Sequence, residues 1–392
     1  MKKKFSIVFL IFWVVLYSQE KEITIIDKNT RLPISQATIY YKDLNEGVQT
    51  NEDGKAKIHI KGFDLSVTHI SYSNVLIPSD KTTLLKDTLW LTPKVIILEE
   101  VVVQNSNLKK RLKYVLDNYN DLYVDYPTEK ECYIKETFLF DNNYKRLFSA
   151  ELKWWSKGFY YSSRKKPNEF TKLSLGKIDY NKNVSPNVEF EKEGISIITA
   201  TMIPLFYLNS IVSILFKNID QTNSFIEKKD DIYTTISYTT NWITNKKGVT
   251  YQRTGKISFD NETKAIVKLS NSIIYKDKKE VERSIKKNGI AIFYNGREQI
   301  DYIFIKNKEG IWGIKYFNVS LDSFLDYDSR MHTITLTNSL FVVKETKAKN
   351  SSEKESIDLN KPIHKNLPSE TIINSNSILL TEKERDFINR KN

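Results

Sequence analysis

From Glu22 to about Val343 the chain keeps returning to one rhythm, interrupted once. Runs of about four to eight residues alternate apolar and polar side chains, and clusters of Asn, Asp, Gly or Pro separate them. Alternation with period two places successive side chains on opposite faces of a strand, and Asx-Gly clusters supply the positive φ that a tight reversal needs. A chain punctuated in this way is expected to be mainly β. The clearest instance is Asn51-Glu52-Asp53-Gly54 followed by Lys55-Ala56-Lys57-Ile58-His59-Ile60. Asp141-Asn142-Asn143 predicts a hairpin between Tyr133–Phe140 and Lys145–Trp155, and Asn307-Lys308-Glu309-Gly310 predicts another. Further strands are expected at Ile232–Ile243, Tyr251–Phe259, Ala265–Tyr275, Gly289–Tyr294, Ile300–Lys306 and Ile311–Leu321.

The interruption divides the chain. Leu108, Leu112, Val115, Leu116, Tyr119 and Leu122 follow spacings of three and four, the stripe of an amphipathic helix, and Pro127 lies just beyond. Before it, residues 19–104 read as a small β-sandwich. After it, residues 105–343 read as a larger antiparallel α+β domain, with helices over one sheet face or curled into a half-barrel. Residues 344–392 read as a polar linker and a short helix from Thr381 to Asn389.

The small domain carries a resemblance. The stretch DKNTRLPISQATIYYKDLNEGVQTNEDGKAKIHI, then LSVTHISYSN, then TLWLTPKVIILEEVVV is similar to the carboxypeptidase regulatory-like domain. Pro33 and Ala37 match its Pro and small residue, Thr50, Asp53 and Gly54 its Thr and Asp-Gly turn. Leu98, Glu100, Val101, Val102 and Val103 match its closing strand. Thr24 and Ser71 stand where that family has glycines. The resemblance implies a β-sandwich with an accessory role and no chemistry of its own. The larger domain, one helix followed by a long meander, is similar in layout to the open half-barrels of periplasmic lipoprotein carriers.

Lys2, Lys3 and Lys4 precede an apolar run from Phe5 to Leu16, and Ser18 offers a small residue for cleavage. This predicts a signal peptide over residues 1–18 and a periplasmic or outer-membrane-associated protein. The single cysteine, Cys132, excludes an intramolecular disulfide. The net charge of +12 is uneven: residues 19–104 hold ten Lys and Arg against twelve Asp and Glu, so the basic excess lies beyond them. For an exported chain, anionic lipid head groups and cell-wall polymers are nearer counter-charges than nucleic acid. Expected partners are therefore an envelope protein, a lipid or a glycan, with association at a membrane surface and no nucleic acid.

Chemistry is not announced. His59, His69, His332 and His364 belong to no zinc-ligand spacing, and the catalytic motif of zinc carboxypeptidases is missing. There is no Gly-x-Ser-x-Gly and no phosphate-binding loop. No catalytic, metal or cofactor residue is assigned, and the expected role is non-enzymatic binding. A hydrolase of cell-surface polymers with an unmarked carboxylate pair is the alternative. Two features point to an apolar ligand. Ile195–Phe216 holds no charge over 22 positions, and 48 Phe, Trp and Tyr include adjacent pairs such as Trp154-Trp155. Leu205, Phe206, Trp154 and Trp155 are thus the candidate ligand-contacting residues.

Overall fold

The computed structural model describes residues 20–44, 46–69, 72–82, 84–93, 107–162, 167–184, 204–246, 248–276, 281–285, 289–327, 329–352, 357–358, 361, 363–367, 371–372 and 379–390. The expected signal peptide and residues 195–203 of the uncharged stretch lie outside them. The protein is mainly β. It divides into two compact units, Met1–Lys94 with Asn376–Thr381, and Val95–Ser375 with Glu382–Asn392.

In the small unit, β1 (Glu20–Asp27), β4 (Lys55–His59) and β7 (Thr88–Leu91) form one sheet in the order β4-β1-β7. The other, in the order β3-β2-β5-β6, comprises β2 (Thr38–Tyr41), β3 (Glu46–Gln49), β5 (Leu65–His69) and β6 (Tyr72–Ile77). Alternation decides what is inside: Ile23, Ile25, Ala56 and Ile58 meet Ile39, Tyr41, Leu65 and Val67 in one buried core. Gly54 has φ 70°, and a Cβ there would lie 2.6 Å from the Ile25 carbonyl, so only glycine fits this turn. Asn51 Oδ1 accepts from the amides of Asp53 and Lys55, at 3.0 and 2.9 Å, which fixes the reversal. Asp27 accepts the Tyr72 hydroxyl at 2.7 Å and the amides of Asn29 and Thr30. These bonds hold its carboxyl below the ordinary value, while burial and the carboxylate push Tyr72 up to about 12.

The large unit is built on one sheet, of thirteen strands among the described residues. Its strands are β8 (Thr128–Phe140), β9 (Asn143–Ser156), β10 (Thr171–Asn183), β11 (Thr222–Lys229), β12 (Tyr233–Thr240), β13 (Ile243–Thr244) and β14 (Thr250–Asp260). β15 (Ile266–Tyr275), β16 (Val281–Ile285), β17 (Gly289–Lys306), β18 (Trp312–Tyr327), β19 (Arg330–Lys347) and β20 (Thr371–Ile372) follow. The spatial order β11-β12-β14-β15-β17-β18-β19-β8-β9-β10-β20 explains the path. The chain enters mid-sheet at β8, walks by hairpins to β10, and resumes at the opposite edge with β11. A meander then returns to the middle, where β19 pairs antiparallel with β8. Asp141 and Asn142, at φ 50° and 59°, make the two-residue turn between β8 and β9.

Helices α1 (Leu108–Asp117), α2 (Tyr119–Leu122) and α3 (Leu208–Lys217) pack on one sheet face, called the inner face. Leu208, Ile211, Val212 and Leu215 of α3 repeat at three and four residues and are buried. On the opposite face lies α4 (Glu382–Asn389), held by Lys135 to Glu384 at 2.8 Å and by Phe387 stacked on Tyr144. The buried ammonium of Lys182 donates to the carbonyls of Ile388, at 3.3 Å, and Arg390, satisfying the end of α4. The segment expected as a polar linker places Ile357 and Ile363 in the inner core, and β19 extends to Lys347.

Candidate functional site

Strand register assigns the inner face residue by residue. Thr128, Lys130, Cys132, Ile134, Glu136 and Phe138 of β8 point inward and pair with Ser156, Trp154, Leu152, Ala150, Phe148 and Arg146 of β9. At the helix-covered half the face is aromatic. Phe206 stands between Trp154 and Phe317, with ring centres 5.4 and 5.0 Å away. Phe159 joins the cluster through Tyr207, Phe304 and Tyr119, at 5.8, 5.8 and 6.3 Å. Such tilted and edge-on contacts are the favoured geometry of aromatic pairs.

The segment carrying Leu205, Phe206 and Tyr207 into α3 is tied down by a few polar bonds. Tyr302 donates to the Leu205 carbonyl, and the Asn209 amide donates to the Tyr119 hydroxyl at 3.2 Å. The Asn209 side chain pairs with both backbone groups of Tyr161, at 3.0 and 2.9 Å. Beneath this segment the Trp154 indole nitrogen and the Tyr207 hydroxyl are buried with no hydrogen-bond partner. Thr171 and Trp154 are the polar groups beside that hydroxyl, and their influence on it runs against that of burial. Burial still pushes Tyr207 well above the usual phenol range.

Two ionic groups are also buried inside. Lys130 is held by Thr128 at 2.6 Å, Ser156 at 2.8 Å and Glu345 at 3.1 Å, and sits 4.8 Å from the Trp154 ring centre. Glu136, wholly buried, accepts from Arg146 at 2.8 Å and Asn338 at 2.7 Å, with His364 at 3.6 Å. Both are charge-balanced structural pairs.

The four candidates divide. Trp154 and Phe206 meet ring to edge, and Leu205 packs beside them against the same core. Trp155 faces the other side of the sheet, where its indole nitrogen donates to the Ala348 carbonyl at 2.9 Å. Both members of the Trp pair are buried, so the sheet is covered on both sides here. Tyr207, Asn209 and Tyr302 were not picked as site residues from the sequence, and Tyr119 was read there only as part of the helical stripe. Asn209 alone left a signal, a polar residue within an uncharged helix.

Among the described residues no three His, Cys, Asp or Glu side chains converge as a metal-holding group. His59 and His69 lie on different sheets, and His332 pairs with Asp141 at 2.8 Å. Burial pushes the Cys132 thiol far up, away from reactive thiolate. No helix of the described residues is long and apolar enough to cross a membrane.

No protein-family model matches the chain. No curated protein matches it either. Similar solved structures include a lipovitellin chain from a study of lipid–protein interactions, at 11% identity and a TM-score of 0.27. That match covers 59% of this chain and 26% of the other, so this chain spans about a quarter of lipovitellin's length. A Bacteroides fragilis protein of unknown function is similar at 8% identity and a TM-score of 0.13, covering 83% of this chain and 98% of the other. Likenesses this distant carry no argument about fold or function.

Proposed function

We propose that the large unit is a non-enzymatic binding module of the cell envelope that holds an apolar or amphiphilic ligand against its aromatic inner face. The small unit serves as its accessory sandwich, of the carboxypeptidase regulatory-like kind. The carrying observation is the pair of polar atoms, Trp154 Nε1 and Tyr207 Oη, buried without partners under the Leu205–Tyr207 segment. Each such orphan costs about 1–3 kcal/mol, and a ligand bearing an acceptor among apolar groups would satisfy both. A curled, half-barrel form of the sheet is supported by Phe206. It contacts rings on β9 and β18, which are three strand spacings of about 4.8 Å apart.

The test is binding of a fluorescent long-chain fatty alcohol analogue by the purified mature chain without detergent. Leu205→Glu and Phe206→Glu place a carboxylate among these rings and abolish binding, while Tyr207→Phe keeps the fold and weakens it. A wild-type chain that is soluble, folded and indifferent to the probe defeats the proposal. A chain that stays in solution only with detergent favours a membrane-embedded sheet instead.

A further inference from the structure

Away from the helices, the inner face changes character. Tyr238 of β12, Gly255 of β14 and Asn271 of β15 lie in one row of the register. Gly255 leaves room there: a Cβ would fall 2.6 Å from the Tyr238 hydroxyl and 2.1 Å from the Ser270 carbonyl. The Tyr238 side chain therefore lies over the glycine, and its hydroxyl donates to Asn271 Oδ1 at 2.9 Å. That bond uses the amide's acceptor and leaves its donor. Asn271 is fully buried, and its Nδ2 has no partner.

Arg253 stands in the next row of the same face, two residues before Gly255 and opposite Ile273. Its Nε is buried and also without a partner, and its guanidinium lies over the Tyr251 ring at 5.3 Å. Among the described residues no carboxylate pairs with it. Glu298, the acid in the same row across Ile273, is taken by the Tyr275 hydroxyl. Two neighbouring strands thus aim two unsatisfied donors, one of them cationic, at the same face. A guanidinium and a primary amide present N–H groups in planar geometry, which suits the two oxygens of a carboxylate.

We propose that Arg253 and Asn271 form a head-group site for the carboxylate of a single-chain amphiphile such as a fatty acid. This rests on the apolar-ligand reading and names its ligand class. From Arg253 the tail would run beside the Tyr238 ring that covers Gly255, along the inner face toward Phe259 and the helix-covered half, about 20 Å of strand. Ile236, Ile257, Leu269 and Ile300 are the apolar inner residues beside that path. The head group would end the isolation of both donors at once.

Calorimetric titration of the full chain with sodium octanoate, octanol and octyl phosphate tests this. Octanoate is expected to bind at least tenfold tighter than octanol and tighter than octyl phosphate. Arg253→Gln should abolish that preference and leave the circular dichroism spectrum unchanged. Equal binding of octanoate and octanol, no binding of octanoate, or a preference that survives Arg253→Gln overturns the site. Tighter octyl phosphate reassigns the head group and overturns the carboxylate. The two proposals fail separately. Long-chain alcohol binding without an acid preference removes only the head-group site, and octanoate preference without long-chain binding removes only the apolar one.

Discussion

Glu136 and Tyr207 are both buried on the inner face, and their surroundings treat them differently. Burial alone would raise the Glu136 carboxyl, but Arg146 and His364 outweigh it and hold it below the ordinary value of 4.5. A carboxyl lowered in the fold contributes stability that is fully present above the unfolded value and disappears as pH falls through the folded one. Urea unfolding between pH 7 and 3 should therefore show wild-type stability declining in acid. Glu136→Gln should be less stable at pH 7, with the gap narrowing on acidification. Arg146→Met, which strands the carboxylate, should cost about 3–5 kcal/mol at neutral pH. Tyr207 has the opposite sign. Removing an unpartnered hydroxyl by Tyr207→Phe should raise stability by roughly 1 kcal/mol while binding weakens, and a simultaneous loss of both would mark the hydroxyl as structural.

Among the elements, those set by local chemistry were legible in the sequence. The Asx-Gly turns and the Asp141-Asn142 hairpin follow from neighbouring residues alone, and the stripe from Leu108 to Leu122 became α1 and α2. The β17 strand reads as two because Asn295-Gly296-Arg297 looks like a break. The structure keeps it whole with a bulge there, where a Cβ on Gly296 would lie 2.6 Å from the Asp322 carbonyl. β19 was hidden by polar residues such as Asn338, whose partner Glu136 is 202 positions away. Trp154 and Phe206 could be picked from aromatic density and lack of charge. Arg253 and Asn271 could not, since their isolation depends on a tyrosine lying over a glycine on a neighbouring strand. A similar dependence governs α4, whose last carbonyls are satisfied by a lysine from β10. Lys182→Met should leave the sheet intact but release α4, seen as faster amide exchange and protease cleavage near Glu382.

At the scale of the molecule, the two units have separate cores and separate turn requirements. Calorimetry of the full chain should resolve two transitions. Gly54→Val, which forces a β-branched residue to φ 70° against the Ile25 carbonyl, should lower the smaller one by several degrees and leave the larger in place. An unmoved profile would mean that this turn tolerates a side chain.

The mid-sheet entry of the large unit has a consequence for the order of events. One side of β8 is covered by β9 as soon as the hairpin forms, but the other stays bare until β19 emerges, about 190 residues later by sequence separation. For all that interval the nascent chain exposes a thirteen-residue strand edge, a template for any passing chain. Such a protein should refold slowly and in competition with aggregation, and a chain cut after Tyr327 should precipitate even though every strand before the cut is present. Assembly of this sheet is therefore a race between β19 and the chain's neighbours in solution, and an escort for unfolded chains would decide its yield more than final stability does.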